Sequence, residues 1–125
     1  MEEVKTLYSI IDEYEQYTGT QTSMATLYIP PDKHLDVVNA MLVDDLKSKD
    51  NIKKPVNRNN TIEAVAGMIW TVNNLWTISV NLCDQGHENG IIILSGITTT
   101  GDHIETIITD LPQPTSFKYY NASKF

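Results

Sequence analysis

Val4, Leu7, Tyr8, Ile10, Ile11, Tyr14 and Tyr17 recur at three- and four-residue steps, predicting an amphipathic helix that ends near Gly19. A short apolar run, Met24 to Ile29, reads as a strand closed by Pro30-Pro31. Asp32 stands where an N-cap belongs, ahead of a second helix whose apolar face is Leu35, Val38, Met41, Leu42 and Leu46. Asn60 and Glu63 have the spacing of a capping box, with Asn in place of the usual Ser or Thr. They predict the start of a third helix with Ile62, Val65, Ala66, Ile69 and Trp70 as its buried stripe. From Trp76 to Asn89 the pattern is mixed. Ile78, Val80 and Leu82 alternate as in a strand, and Asp84 to Gly90 is rich in turn formers. Strands are expected at Ile91 to Ile97, Ile104 to Thr109 and Phe117 to Tyr120, with Thr100-Gly101-Asp102 as a tight hairpin turn. Strands segregated from helices in this order predict an α+β fold. The expected form is a mostly antiparallel four-stranded sheet covered by three or four helices, in a single domain over residues 1–125.

Composition adds constraints to that outline. At 125 residues with 41% hydrophobic and 20% charged positions, the chain can build one core but hardly two. The longest aliphatic run, Ile91-Ile92-Ile93-Leu94, is far too short to span a bilayer, and the start carries no apolar signal segment, so no membrane role is expected. A lone cysteine, Cys83, fits a reducing compartment, and a cytoplasmic location is the expectation. The sequons at Asn59 and Asn121 are then chance matches. A formal net charge of −7 argues against bulk coating of nucleic acid. Yet five of the nine basic residues (Lys47, Lys49, Lys53, Lys54 and Arg58) crowd into twelve positions that hold one acid, Asp50. Such a basic promontory on an acidic body can touch RNA at one point without binding it everywhere.

Catalytic and metal chemistry find little footing. His34, His87, His103 and Cys83 are the imidazole and thiol ligands available, and only Cys83 and His87 are closely spaced, so no metal or other cofactor is expected. The chain has no phosphate loop, no G-x-S-x-G elbow and no H-E-x-x-H helix, and is not expected to be an enzyme. The more informative stretch runs from Asp44 through Arg58, a polar, basic connection between two helices.

Within it, Asn51-Ile52-Lys53 followed by Val56-Asn57-Arg58 resembles the N-I-K-S-R-V-N-R stretch of eukaryotic and archaeal class I translation release factors. Upstream, Gly19-Thr20-Gln21-Thr22-Ser23-Met24 is similar to that family's G-x-G-T-S-M segment. Downstream, Tyr119 to Phe125 fits its Y-x-C-x-x-x-F element except at one position. Three separated motifs in the right order are far more specific than any one of them. The resemblance spans nearly the whole chain and is weakest from Trp76 to Asn89, where this sequence is longer than the family's usual connection.

The resemblance implies a domain that reads stop codons of mRNA in the ribosomal decoding site, beside small-subunit RNA. Peptide release would belong to a separate domain with a G-G-Q loop, a sequence not found in this chain. It also implies a full-length factor that works with the translational GTPase release factor, and a monomer is expected. By match to the family, Asn51 and Lys53 would read the first base, with Ile52 supplying apolar shape and Lys54 adding charge at the loop. Asp45 stands where the family usually carries Glu, and a carboxylate, which only accepts hydrogen bonds, favours the exocyclic amine of adenine. Thr22 and Ser23 offer hydroxyls to either purine. Tyr119 would stack and bond through its hydroxyl, with Phe125 packed beneath it. Taken singly, these residues also suit a solvated helix end, a polar loop and a strand core.

The family's Gly, Ser and Cys are replaced here by Gln21, Lys54 and Asn121, all on the implied reading surface. Pro55, which follows Lys54, biases that lysine away from helical geometry. A codon preference differing from the standard three, as in a variant genetic code, is therefore expected. The competing reading is a ribosome-binding regulator that occupies the decoding site without promoting termination. Whether the gene continues past Phe125 into a G-G-Q domain would discriminate the two.

Overall fold

A computed structural model describes residues 7–125. The Val4 position and the side chains of Leu7 and Tyr8 lie outside what it describes. Four strands form one antiparallel sheet in the order β3-β2-β1-β4. They are β1 (Gly19–Ile29), β2 (Ile91–Thr98), β3 (His103–Ile108) and β4 (Lys118–Ala122). The helices are α1 (Leu7–Glu15), α2 (Leu35–Ser48) and α3 (Pro55–Ile78), with one-turn 3-10 segments at Lys49–Asn51 and Cys83–Gln85. The α+β expectation and the four strands hold.

Strand periodicity places the helices on opposite faces. Ala25, Leu27 and Ile29 of β1 join Ile91 and Ile93 of β2 against Leu35, Val38 and Leu42 of α2 and Ala64, Met68 and Val72 of α3. On the other face Leu94 and Ile108 pack with Ile10 and Tyr14 of α1, and the Tyr14 hydroxyl donates to the Glu105 carbonyl at 3.1 Å. The inner strands β1 and β2 are thus covered on both sides, and Met24, Ala25 and Leu27 of β1 are fully buried. Gly96 makes this arrangement possible, because a Cβ there would lie 2.3 Å from Met24 Sδ and 3.1 Å from Phe125 Cζ. Gly101, with φ of 89°, supplies the left-handed residue of the β2–β3 turn.

Several boundaries depart from the sequence pattern for physical reasons. α1 ends at Glu15, and Gly19 opens β1 five residues before Met24. Between Gly19↔Thr98 and Met24↔Gly96 the pairing register shifts, so Thr20 to Ser23 form a large bulge. Asp32 does not cap α2. His34 occupies the cap position without a side-chain bond, and the Leu35 N–H is satisfied by the Val80 carbonyl at 2.7 Å. Nor do Asn60 and Glu63 open α3, which starts at Pro55. Proline is favoured at the first helical position, and Lys54 before it is extended (φ −82°, ψ 118°), as its neighbour requires.

The inward stripe of α3 is also turned by about one residue from the predicted one. Thr61, Ala64, Val65, Met68, Thr71 and Val72 face inward. Of the predicted set, Val65 is buried, whereas Ala66 is exposed and Trp70 is 69% exposed. Polar anchors explain the turn: Thr61 bonds Thr22, and Thr71 bonds the Glu105 carboxylate. The alternation of Ile78, Val80 and Leu82 makes no strand. α3 runs to Ile78, and only Leu82 of the three reaches the core.

Candidate nucleic-acid interface

The segment from the last turns of α2 to the first turns of α3 collects side chains from both ends of the sheet's polar rim. Tyr119 and Asn121 on β4 pair with Leu27 and Ala25, so both point to the face that carries α2. There the Tyr119 hydroxyl donates to Asp45 Oδ2 at 2.5 Å. The Lys49 ammonium donates to Asn121 Oδ1 at 3.0 Å and pairs with Asp45 Oδ2 at 3.1 Å. Lysine has donors only, so this contact settles which end of the Asn121 amide faces it. The Asn121 Nδ2 is buried without a full hydrogen bond. Burial, reinforced by the bond to Asp45, pushes the Tyr119 phenol well above the ordinary tyrosine range. Its hydroxyl stays a donor at any physiological pH.

A second cluster anchors the β1 bulge to α3. Asn57 Oδ1 accepts from the Thr20 hydroxyl at 2.9 Å, the Thr22 N–H at 3.0 Å and the Thr22 hydroxyl at 3.2 Å. The Thr22 and Thr61 hydroxyls meet at 2.8 Å. Within the bulge, Ser23 Oγ accepts from the Thr20 N–H at 2.9 Å and donates to the Ile97 carbonyl at 2.7 Å. Between the clusters the Lys49–Asn51 turn leads into the loop, where Arg58 reaches the Ile52 carbonyl at 3.5 Å.

The expected site residues therefore fall into distinct groups. Asn51, Lys53 and Lys54 are exposed, and among the described residues no hydrogen bond or ion pair engages their side chains; Ile52 is half-buried. Gln21 is exposed on the bulge. Asp45, Tyr119 and Asn121 are brought together. Thr22 is half-buried with its hydroxyl spent on Asn57 and Thr61. Ser23 is fully buried with both hydroxyl roles used inside the bulge, so it holds backbone and cannot present that hydroxyl to a base. Phe125 does not pack beneath Tyr119. It lies on the opposite face, its ring centroid 5.7 Å from that of Tyr14.

Two residues without an assigned role in the sequence reading prove central. Lys49 stands four residues after Asp45 on a helix end, a spacing that signals a pair. Asn57 lies within the Val56-Asn57-Arg58 match, but its polar contacts come from residues 35 and 37 positions away, which no local pattern reveals. Among the described residues no group of three or more His, Cys, Asp or Glu is disposed to hold a metal, and no helix is long and apolar enough to cross a membrane.

Residues 3–125 match the family model described as eRF1 domain 1. The chain belongs to that family. A peptide chain release factor subunit 1 from Archaeoglobus fulgidus is 32% identical over 119 residues, covering 92% of this chain and 27% of the relative. A eukaryotic peptide chain release factor subunit 1 from Giardia intestinalis is 31% identical over 118 residues, covering 92% of this chain and 24% of the relative. The eRF1 domain 1 chain thus spans about a quarter of these relatives' length. Its fold is shared by a crystal structure of archaeal translation termination factor aRF1, with a TM-score of 0.78, 21% identity and coverage of 95% of this chain and 31% of that one.

Proposed function

We propose that this eRF1 domain 1 chain reads stop codons of mRNA in the decoding site of the ribosome during translation termination, as the recognition part of a factor whose release chemistry resides in another domain. The observation that carries the reading is the loop at Asn51–Lys54. Asn51, Lys53 and Lys54 stand exposed, at the end of and just after a 3-10 turn that Lys49 pins to β4 through Asn121. A rigid base under an exposed donor-rich tip suits a single-stranded RNA, whose bases offer open edges and faces. The relatives' names, peptide chain release factor subunit 1, support the same role. Its partners would be the stop codon, the surrounding small-subunit RNA and, for the whole factor, the translational GTPase release factor, in the cytoplasm.

Asn51 offers both a donor and an acceptor to a uracil edge, and Lys53 a cation to a carbonyl or phosphate. Gln21, Lys54 and Asn121 depart from the family pattern on this surface, and the codon preference is proposed to differ from equal reading of three. The test fuses the domain ahead of the middle and carboxy-terminal domains of a standard release factor and measures peptide release at UAA, UAG and UGA. Unequal release is expected. Asn51→Ala should lower it by about ten-fold or more at every codon read, the scale of a lost base contact. Release unaffected by Asn51→Ala would overturn the role of the loop, and equal release at all three would overturn the altered preference.

A further inference from the structure

Residues 59–117 contain six acids, Glu63, Asp84, Glu88, Asp102, Glu105 and Asp110, and no lysine or arginine. Elsewhere in the chain ten acids and nine basic residues nearly cancel, so this stretch supplies six of the seven formal negative charges. It builds α3 beyond its first turn together with β2 and β3. The same half carries exposed apolar side chains. Trp70 and Ile78 on α3 are 69% and 71% exposed, and Ile107 on β3 is 37% exposed. Trp70, Asn74 and Ile78 follow one another at four-residue steps and share one side of the helix. Opposite them, Glu105 and Ile107 pair with Ser95 and Ile93, which places both on the face that carries α3. β3 is the edge of the sheet, and among the described residues no strand pairs with its outer side. A groove therefore runs between α3 and β3, lined by Trp70, Asn74, Leu75 and Ile78 on one side and by Glu105 and Ile107 on the other. The Glu105 carboxylate is held at its rim by the Thr71 hydroxyl, and Glu63 stands exposed two turns before Trp70 on the same side of the helix.

We infer that this groove docks a basic polypeptide segment, which lays a large apolar side chain among Trp70, Ile78 and Ile107 and sets its lysines or arginines against Glu63 and Glu105. Charge selects the occupant. RNA would bring phosphates toward a half-domain that has six carboxylates and no lysine or arginine, and a second copy of this chain would bring the same negative face. A cationic chain is attracted where both of these are repelled. The apolar residues supply what charge does not. Scattered exposed apolar residues need no explanation, but here three converge on one groove, and a tryptophan is the residue type that most often anchors an interface. The inference stands apart from the codon-reading role and is compatible with it. The basic stretch from Lys47 to Arg58 suits RNA, which leaves the acidic half of the domain for protein.

The probe is a heptapeptide of alternating lysine and leucine, titrated into the chain by calorimetry while the Trp70 indole N–H resonance is followed by NMR. Binding that shifts this resonance and weakens with added salt is expected. Trp70→Ser should lower the affinity by about ten-fold or more, the scale of an anchor residue, and Glu63→Lys should lower it as well. Alternating glutamate–leucine and lysine–serine heptapeptides should bind about ten-fold more weakly or not at all, the first lacking the charge and the second the anchor. Absence of binding by the lysine–leucine peptide overturns the inference. Equal affinity of the lysine–serine peptide, or an affinity that Trp70→Ser leaves unchanged, reduces the binding to bulk charge attraction and overturns it too. So does equal binding of the glutamate–leucine peptide. An oligouridylate that shifts the Trp70 resonance would assign the groove to RNA, and a dimer in sedimentation that Trp70→Ser dissociates would assign it to a second copy. Loss of peptide binding in the factor fused to middle and carboxy-terminal domains would assign it to those domains. Each of these three results overturns the inference, and none of them touches codon-resolved release, which tests the other role.

Discussion

Asn57 gives the sharpest test of how the fold holds its polar rim. Its Oδ1 collects donors from Thr20, from the Thr22 backbone and hydroxyl, and its residue is only 5% exposed. Replacement by alanine leaves the Thr22 N–H and the Thr20 hydroxyl without their acceptor, while the Thr22 hydroxyl keeps Thr61 at 2.8 Å. An unsatisfied buried donor costs about 1–3 kcal/mol. Because both donors are only partly buried and water can reach them in part, the lower half of that range applies to each, for a total of about 2–4 kcal/mol. Asn57→Asp keeps an acceptor at the same point and meets converging donors, so it should cost well under half as much. Urea denaturation followed by circular dichroism measures both, with the m-value checking that the transition remains two-state. A loss below about 1 kcal/mol for Asn57→Ala, or equal losses for the two variants, would refute the claim that the Asn57 oxygen is the main fastening of the bulge to α3, beside the Thr22–Thr61 contact.

Other consequences can be measured on the same domain. Gly96→Val should be far worse than Gly96→Ala in a thermal melt, since even a Cβ meets Met24 Sδ at 2.3 Å and Phe125 at 3.1 Å; overpacking costs of about 1–3 kcal/mol are expected for the alanine. Met68→Ala should destabilise by about 2–5 kcal/mol as a buried large-to-small change, and Trp70→Ser by under about 0.5 kcal/mol, since Trp70 is 69% exposed. Tyr119 titrates above its unfolded value because the folded state favours the neutral phenol. Its contribution to stability is therefore fully present below about pH 10 and is lost as pH rises toward the folded pKa. Tyr119→Phe should flatten that alkaline decline in denaturation midpoints, with Tyr28, also raised by burial, leaving a smaller residual slope.

Local periodicity alone carried much of the architecture. Short apolar and β-favouring runs marked β2, β3 and β4 within a residue or two at most ends, and Thr100-Gly101-Asp102 marked the β2–β3 hairpin, because strand and turn preferences are local. The loop at Asn51–Lys54 was legible through its resemblance to the release-factor motif. It is a contiguous motif, and Pro55 sets the extended Lys54 and the helix start through its own ring. What the sequence left open was every feature settled by residues far apart in the chain. The α2 start is satisfied by the Val80 carbonyl, a distant backbone partner that leaves no trace beside the helix, whereas Asp32 only has the residue type of a cap. The facing of α3 was decided by Asn57, Thr61 and Thr71 finding polar partners on β1 and β3, which outweighed a hydrophobic stripe through Trp70. Ser23 and Phe125 looked like members of one reading surface, until the bulge buried the first and the sheet put the second on its other face. Lys49 gained its role from Asn121, 72 positions away, because pairing of β4 with β1 carries that amide to the end of α2. Short-range preferences chose the elements, and long-range hydrogen bonding chose which side chains meet.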